Sequence, residues 1–304
     1  MAITEAEKIW MNGKLVNWSD AKVHVLTHAL HYGTGVFEGI RAYETDKGAA
    51  VFRLTDHIKR LFRSAKIYRM DIPYSVEEII EAVKETIRAN NLKSCYIRPI
   101  VFRGYGEMGL YPMKVPVDVS IAVWPWGAYL GDEGIKHGVK TRISSFQRIS
   151  PNALPPAAKA TGQYINSILA KLEAEDSGCD EAILLDHQGF VSEGPGENIF
   201  LVRDGLVRTP PSSASILEGI TRNSVMDIAC DMDYPIIEEN IVRSDLYIAD
   251  EAFFTGTAAE VVPICEVDGR VIGVPGSVTK AIQDKFFSII KGKEEEYMDW
   301  LEFV

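Results

Sequence analysis

The sequence predicts a mixed α+β chain divided into two domains. Three observations carry that expectation. At 304 residues the chain exceeds the ~100 to 200 residues that an ordinary domain takes. Turn signals join short apolar runs into antiparallel strands ahead of the first helical stripes. A Gly/Pro-rich stretch from Pro125 to Gly138 then separates two such sets. The expected division is 1–124 for a smaller N-terminal α+β domain, 125–138 for a linker and 139–304 for a larger C-terminal domain.

Each element has a local reason. Asn12-Gly13 and Asp46-Lys47-Gly48 sit between apolar runs, as hairpin turns do. Thr55 and Asp56 precede Ile58, Leu61, Phe62 and Ala65 at helical spacing. Ser75 with Glu78 forms a capping box before Ile79, Ile80, Val83 and Ile87. Ser94 to Val101 and Val117 to Trp124 read as strands. Past the linker, strands are expected at Glu181 to Asp186, Phe190 to Val191, Asn198 to Val202 and Ala252 to Thr255, with turns at His187-Gln188-Gly189, Asp204-Gly205 and Asp268-Gly269. Helical stripes occur at Tyr164, Ile165, Ile168, Leu169 and Leu172; at Val225, Ile228, Ala229 and Met232; and at Val278, Ile282, Phe286 and Ile290.

Composition narrows the function. With 46% hydrophobic and 25% charged residues the chain has ample material for a core. The 43 acidic against 32 basic residues leave a net charge of -11, which argues against nucleic acid and membrane surfaces as partners. No apolar run approaches the ~20 residues of a membrane span, and Met1 to Lys8 lacks the pattern of a secretory signal, so a cytoplasmic protein is expected. Cys95, Cys179, Cys230 and Cys265 form no CxxC pair and are read as buried thiols.

Two motifs invite other readings. Gly104-Tyr105-Gly106-Glu107-Met108-Gly109 fits a dinucleotide-binding glycine pattern, the basis for an NAD-dependent dehydrogenase. Pro112 and Pro116 forbid the helix that such a turn must open, so a glycine-rich loop is expected instead. His24, His28 and His31 have the spacing of a metal face, but no cysteine or carboxylate stands beside them, and packed, hydrogen-bonded histidines are expected with no metal. No GxSxG elbow and no Walker A sequence occur.

Lys159 is the anomaly. Between Arg148 and Lys171 it is the only charged side chain, set among Pro155, Pro156, Ala157, Ala158 and Ala160. It is either a surface lysine on a Pro/Ala loop or a desolvated amine able to form a Schiff base or act as a general base. A pyridoxal-phosphate lysine also requires an acid for the ring nitrogen and a cradle for the phosphate. Glu193, with Glu197 as rival, lies in a Gly/Pro turn and could supply the acid. Leu217-Glu218-Gly219-Ile220-Thr221-Arg222, ahead of a helix, and Gly256-Thr257-Ala258-Ala259, after a strand, could supply the cradle.

These residues resemble a known family, the fold-type IV pyridoxal-phosphate enzymes, and within it the branched-chain amino acid aminotransferases. The resemblance rests on His28-Ala29-Leu30-His31-Tyr32-Gly33, Val36-Phe37-Glu38-Gly39-Ile40-Arg41, Tyr96-Ile97-Arg98-Pro99, Ala158-Lys159-Ala160, Ser192-Glu193-Gly194, Gly196-Glu197-Asn198, Gly219-Ile220-Thr221-Arg222 and Gly256-Thr257-Ala258-Ala259-Glu260, and runs nearly end to end. It implies a small N-terminal α+β sandwich and a larger domain with a barrel-like mixed sheet. It implies pyridoxal 5'-phosphate as cofactor, borne by Lys159, with Glu193 on the ring nitrogen, Tyr164 on the phenolic oxygen and Leu217 packed on the ring. The phosphate falls to Arg60, Gly219, Ile220, Thr221, Gly256 and Thr257, whereas the helical pattern around Arg60 alone predicts a solvated charge.

The same resemblance places a substrate side chain among Tyr32, Phe37, Gly39, Trp126, Tyr129 and Tyr164, with Leu110 entering from a neighbouring subunit. It places the α-carboxylate on Tyr96, Thr257 and Ala258, and a distal carboxylate on Arg98. The implied reaction is ping-pong amino transfer from L-leucine, L-isoleucine or L-valine to 2-oxoglutarate in a homodimer or larger homo-oligomer. D-amino acid aminotransferase and aminodeoxychorismate lyase are the alternatives within the fold type, and a non-catalytic binding module is the alternative outside it.

Overall fold

The structure, a computed structural model, describes residues 3–127, 130–273 and 275–304. In chain order the first elements are β1 (Lys8–Met11), β2 (Lys14–Asn17), α1 (His28–Tyr32), β3 (Gly35–Phe37), β4 (Ile40–Thr45), β5 (Gly48–Phe52), α2 (Leu54–Ile67), α3 (Val76–Ala89), β6 (Cys95–Arg103) and β7 (Val117–Trp124). There follow α4 (Gly131–His137), β8 (Val139–Ile143), α5 (Tyr164–Asp176), β9 (Glu181–Ile183), β10 (Asn198–Arg203), β11 (Leu206–Thr209), α6 (Ile220–Asp231) and β12 (Ile236–Glu238). The chain closes with α7 (Arg243–Tyr247), β13 (Glu251–Gly256), β14 (Glu260–Val267), β15 (Arg270–Val271), α8 (Ser277–Ile290) and β16 (Leu301–Phe303). Among the described residues no helix is long and apolar enough to cross a membrane.

Two compact units result. The first comprises 1–126, 158–162 and 289–304; the second comprises 127–157 and 163–288. This differs from an expected boundary placed once along the chain. The Lys159 segment groups with the first unit because Phe37 N–H donates to Lys159 O at 3.0 Å and Val36 bridges Ala160. The C-terminus returns to it because β16 pairs antiparallel with β5. The segment 125–138, expected as a linker, contains helix α4.

In the first unit an eight-stranded sheet runs β16-β5-β4-β6-β7-β1-β2, with β3 on β6. Asn12 and Gly13 adopt φ of 48° and 88°, the left-handed pair that a tight hairpin between β1 and β2 requires. Ser75 accepts from Glu78 N–H and the Glu78 carboxylate accepts from Ser75 N–H, so the capping box starts α3 as expected. Ile58, Leu61, Ile79, Val83 and Ile87 from the two helices pack with Val36, Ile97, Val101 and Ile121 from the sheet. Each such side chain contributes ~1.5 to 3 kcal/mol by leaving water.

The second unit holds a mixed sheet, β12-β11-β10-β13-β14-β8-β9 with β15 on β14. Its two central strands meet through stacked Phe200 and Phe253, ring centroids 5.0 Å apart. The stripe expected at Tyr164 to Leu172 forms helix α5, with Ile165, Ile168, Leu169 and Leu172 exposed and Ser167, Ala170 and Ala174 buried. Periodicity identifies an apolar face without saying what covers it. The expectation of four buried thiols fails. Of the four cysteines only Cys95 is buried; Cys179 and Cys265 are half-buried and Cys230 is exposed.

Candidate active site

In the first unit the site residues gather around Phe37, where β3 ends. Lys159 is half-buried, its N–H donates to Ser64 Oγ at 3.1 Å, and its Nζ stands 5.1 Å from the Phe37 ring centroid. The Arg98 guanidinium lies 4.6 Å from the same centroid. An aromatic face offers both cations a favourable, partly desolvated position.

Arg60 is not the solvated charge that its place on an amphipathic helix suggests: it is 6% exposed. Its Nε and Nη2 donate to the two oxygens of Glu38 at 2.7 Å each, and His57 Nδ1 lies 2.8 Å from Glu38. Burial works to raise the Glu38 carboxyl, but the Arg60 charge and the bonds from Arg60 and His57 prevail and hold it at about 2. Burial pushes His57 down against the pull of Glu38, so it sits neutral and donates through Nδ1.

Alternation along β6 puts Tyr96 and Arg98 on one face. Arg98 Nη2 donates to Tyr96 OH at 3.1 Å, and the Tyr96 ring lies 5.1 Å from Trp124 and 5.0 Å from Trp126. Arg98 Nε and the indole N–H of Trp126 are buried without a partner among the described residues, polar groups suited to meeting a ligand. Tyr32 is exposed at the end of α1, and Leu110 is 89% exposed on the 104–112 loop. That loop opens no helix, which removes the dinucleotide reading. Its anchor is His28, whose Nε2 donates to Gly109 O at 2.8 Å while Nδ1 meets Thr34. His31 Nε2 bonds Val25 O. Tyr129 lies outside the described residues.

In the second unit Glu193, 5% exposed, accepts from Arg148 Nε at 2.7 Å, Asn198 Nδ2 at 3.2 Å and Leu217 N–H at 3.0 Å. Three donors thus converge on this carboxylate. For Glu197, the rival, burial, aided by the charges of Glu181 and Glu193, raises the carboxyl to about 8. Tyr164 opens α5, half-buried, two residues before Asn166, which Arg148 Nη1 reaches at 3.4 Å.

Asn198 is the junction of this cluster. Its amide also donates to Leu217 O, it stands opposite Thr255 in the sheet, and its Oδ1 fills the space where a Cβ on Gly219 would lie, 2.1 Å away. Gly219 caps the twelve-residue α6 without a side-chain bond, so the Ile220 and Thr221 end offers N–H groups and the positive end of the helix dipole. Gly256 ends β13, and Thr257 and Ala258 turn half-buried beyond it. Ser215 Oγ and Thr255 Oγ1 are buried without partners among the described residues. Within this unit a carboxylate with three donors, a helix start without a side-chain cap and the buried Ser215 and Thr255 hydroxyls suit a phosphorylated pyridine; in the first unit the Lys159 amine suits an aldehyde.

Sequence reasoning passed over Arg148, His57 and Asn198 and gave Glu38 no role. The partners of Arg148 and His57 lie far along the chain, 45 residues for Arg148 and Glu193 and 19 for His57 and Glu38, so no local spacing reveals them.

Comparison with known proteins agrees with this chemistry. The amino-transferase class IV family model matches residues 35–267. A branched-chain-amino-acid aminotransferase of Pseudomonas aeruginosa is 52% identical over 298 residues, 97% of each chain. The crystal structure of the Escherichia coli branched-chain amino acid aminotransferase superposes with a TM-score of 0.96 at 48% identity, covering 98% of this chain and 99% of that one. The branched-chain amino acid aminotransferase of Thermobaculum terrenum in its PLP-form gives 0.91 at 34% identity, covering 98% of each chain. The chain belongs to the class IV aminotransferases and, within them, to the branched-chain amino acid aminotransferases.

Proposed function

We propose that the chain transfers the amino group of L-leucine, L-isoleucine or L-valine to 2-oxoglutarate, with Lys159 as the cofactor-bearing and proton-moving residue. The observation that carries this reading is the half-buried Lys159 amine over the Phe37 ring, its backbone tied to β3 and α2, in a chain whose family uses pyridoxal phosphate. When bound, that cofactor supplies an aldehyde for amino exchange and a protonated pyridine that accepts electrons from the α C–H bond. Lys159 Nζ would take the substrate's α-proton and deliver it to the cofactor's exocyclic carbon, and would move a proton the opposite way in the second half-reaction. Glu193 holds the proton on the ring nitrogen, Tyr164 donates to the phenolic oxygen, and Leu217 packs on the ring. Arg60, Gly219, Ile220, Thr221, Gly256 and Thr257 hold the phosphate.

Two half-reactions alternate. A branched-chain amino acid leaves as its 2-oxo acid, and 2-oxoglutarate then leaves as L-glutamate. Tyr32, Phe37, Gly39, Trp126 and Tyr129 accept the aliphatic chain. Tyr96, Thr257 and Ala258 take the α-carboxylate, and Arg98 reaches the distal carboxylate of the longer acidic substrate.

The working form is at least a homodimer. The exposed α5 face and the bare Leu110 side chain support this, because contiguous apolar surface of that kind marks an interface, and Leu110 would complete the neighbour's pocket. A cytoplasmic site of action fits the absence of a membrane-length helix among the described residues. Borohydride reduction of the cofactor-loaded protein followed by peptide mass mapping tests the assignment: the cofactor's mass should sit on Lys159, and an adduct on another lysine would overturn it.

A further inference from the structure

We infer that Glu38 is a positioning residue: it sets the plane of the Arg60 guanidinium and through it the affinity of the chain for the phosphate of its cofactor. The inference rests on the phosphate-holding role proposed for Arg60.

Glu38 follows β3 and is 0% exposed. Both of its oxygens are engaged by the Arg60 fork, and His57, one helical turn before Arg60 on α2, donates to Oε2 at 2.8 Å. Two parallel N–H···O bonds fix a guanidinium plane, which a single bond does not. The His57 bond in turn fixes the carboxylate, and neutral His57 does so without adding charge.

Two considerations make a purely structural or purely electrostatic role for Glu38 a poor account. A buried ion pair is an inefficient stabiliser, since its desolvation consumes most of its Coulombic gain and apolar replacements often do as well. A carboxylate beside Arg60 also offsets the positive charge that a phosphate dianion needs. On charge alone Glu38 opposes binding, and its removal would tighten it. Orientation is what the bidentate, doubly anchored geometry supplies.

The accounts therefore predict opposite signs, and the full chain stripped of cofactor distinguishes them. Titrations with pyridoxal 5'-phosphate and with unphosphorylated pyridoxal give Kd for wild type, Glu38→Gln, Glu38→Asp, Arg60→Met and the Glu38→Gln/Arg60→Met double variant. Glu38→Gln should raise Kd for the phosphorylated form about tenfold or more, the effect of losing charge-assisted bonds, and leave pyridoxal within about twofold. Glu38→Asp, which keeps the charge and shortens its reach, should weaken the phosphorylated form too, and the double variant should bind no worse than Arg60→Met alone. Equal or tighter binding of the phosphorylated form by Glu38→Gln overturns the inference, as does an equal loss for both forms. Should Arg60→Met itself leave the preference for the phosphorylated form intact, the role given to Arg60 fails and the inference with it.

Discussion

The Tyr96 hydroxyl stands 2.0 Å from where a Cβ on Gly39 would lie, and its ring carbon Cζ stands 3.0 Å away. A side chain at position 39 must therefore displace Tyr96, which is 5% exposed between two indoles and cannot yield freely. Its movement would break the Arg98 bond as well. Gly39→Ala is expected to lower kcat/KM for both L-leucine and 2-oxoglutarate by about 10- to 100-fold, the scale of a misplaced positioning group, with cofactor absorbance unchanged. Steady-state kinetics with each substrate checks this, and unaltered constants would remove Gly39 and Tyr96 from the pocket.

Arg98 makes the two substrates separable. Its guanidinium has a buried Nε without a partner among the described residues, whereas the aliphatic chain of leucine needs no cation. Arg98→Met should raise KM for 2-oxoglutarate by about 10- to 100-fold, the worth of a charged hydrogen bond, and change KM for L-leucine by less than about threefold. Equal losses for the two would place Arg98 on the shared α-carboxylate instead.

Glu197 gives a pH signature. Its folded value of about 8 lies above the ordinary carboxylate value of 4.5 because of burial and the neighbouring Glu181 and Glu193 charges. Between those two values the folded chain holds a proton that the unfolded chain has released, so this group's contribution to stability falls as pH rises through that window and is fully lost above it. Glu197→Gln removes the dependence. The variant's melting temperature should match wild type near pH 5 and exceed it near pH 9, by on the order of 2 to 4 kcal/mol in stability. A difference that stays flat with pH would mean that Glu197 is not held neutral.

The α5 face bears on assembly. Ile165 at 64% and Ile168 and Leu172 at 55% exposure lie on consecutive turns of one helix. Ile168→Glu with Leu172→Glu should shift the mass in sedimentation toward the monomer, because two charges in an apolar interface cost far more than they gain. An unchanged oligomer would leave that face uncovered and require another explanation for it.

Much of the fold was legible locally. Asp204 and Gly205, with φ of 51° and 76°, and Asp268 and Gly269, at 49° and 75°, form the hairpin turns that their residue types require. The Ser75 box starts its helix, and Lys159 stood out as a lone charge in an apolar stretch. What local reading missed depends on distance along the chain. Arg60 looks like any exposed charge on an amphipathic helix until Glu38, 22 residues earlier, folds beneath it. The return of β16 to β5 pairs Leu301 with Phe52, a partnership that neither segment announces. The α5 stripe shows the complementary limit, since a periodic face is equally consistent with a core and with a partner subunit.

The most direct test of the central claim is the near-violet absorbance of the cofactor-loaded protein, followed through the two half-reactions. L-Leucine alone should bleach the band, and 2-oxoglutarate added afterwards should restore it, with one equivalent of the branched 2-oxo acid and then of L-glutamate released per site. A band that L-leucine leaves untouched would contradict the account.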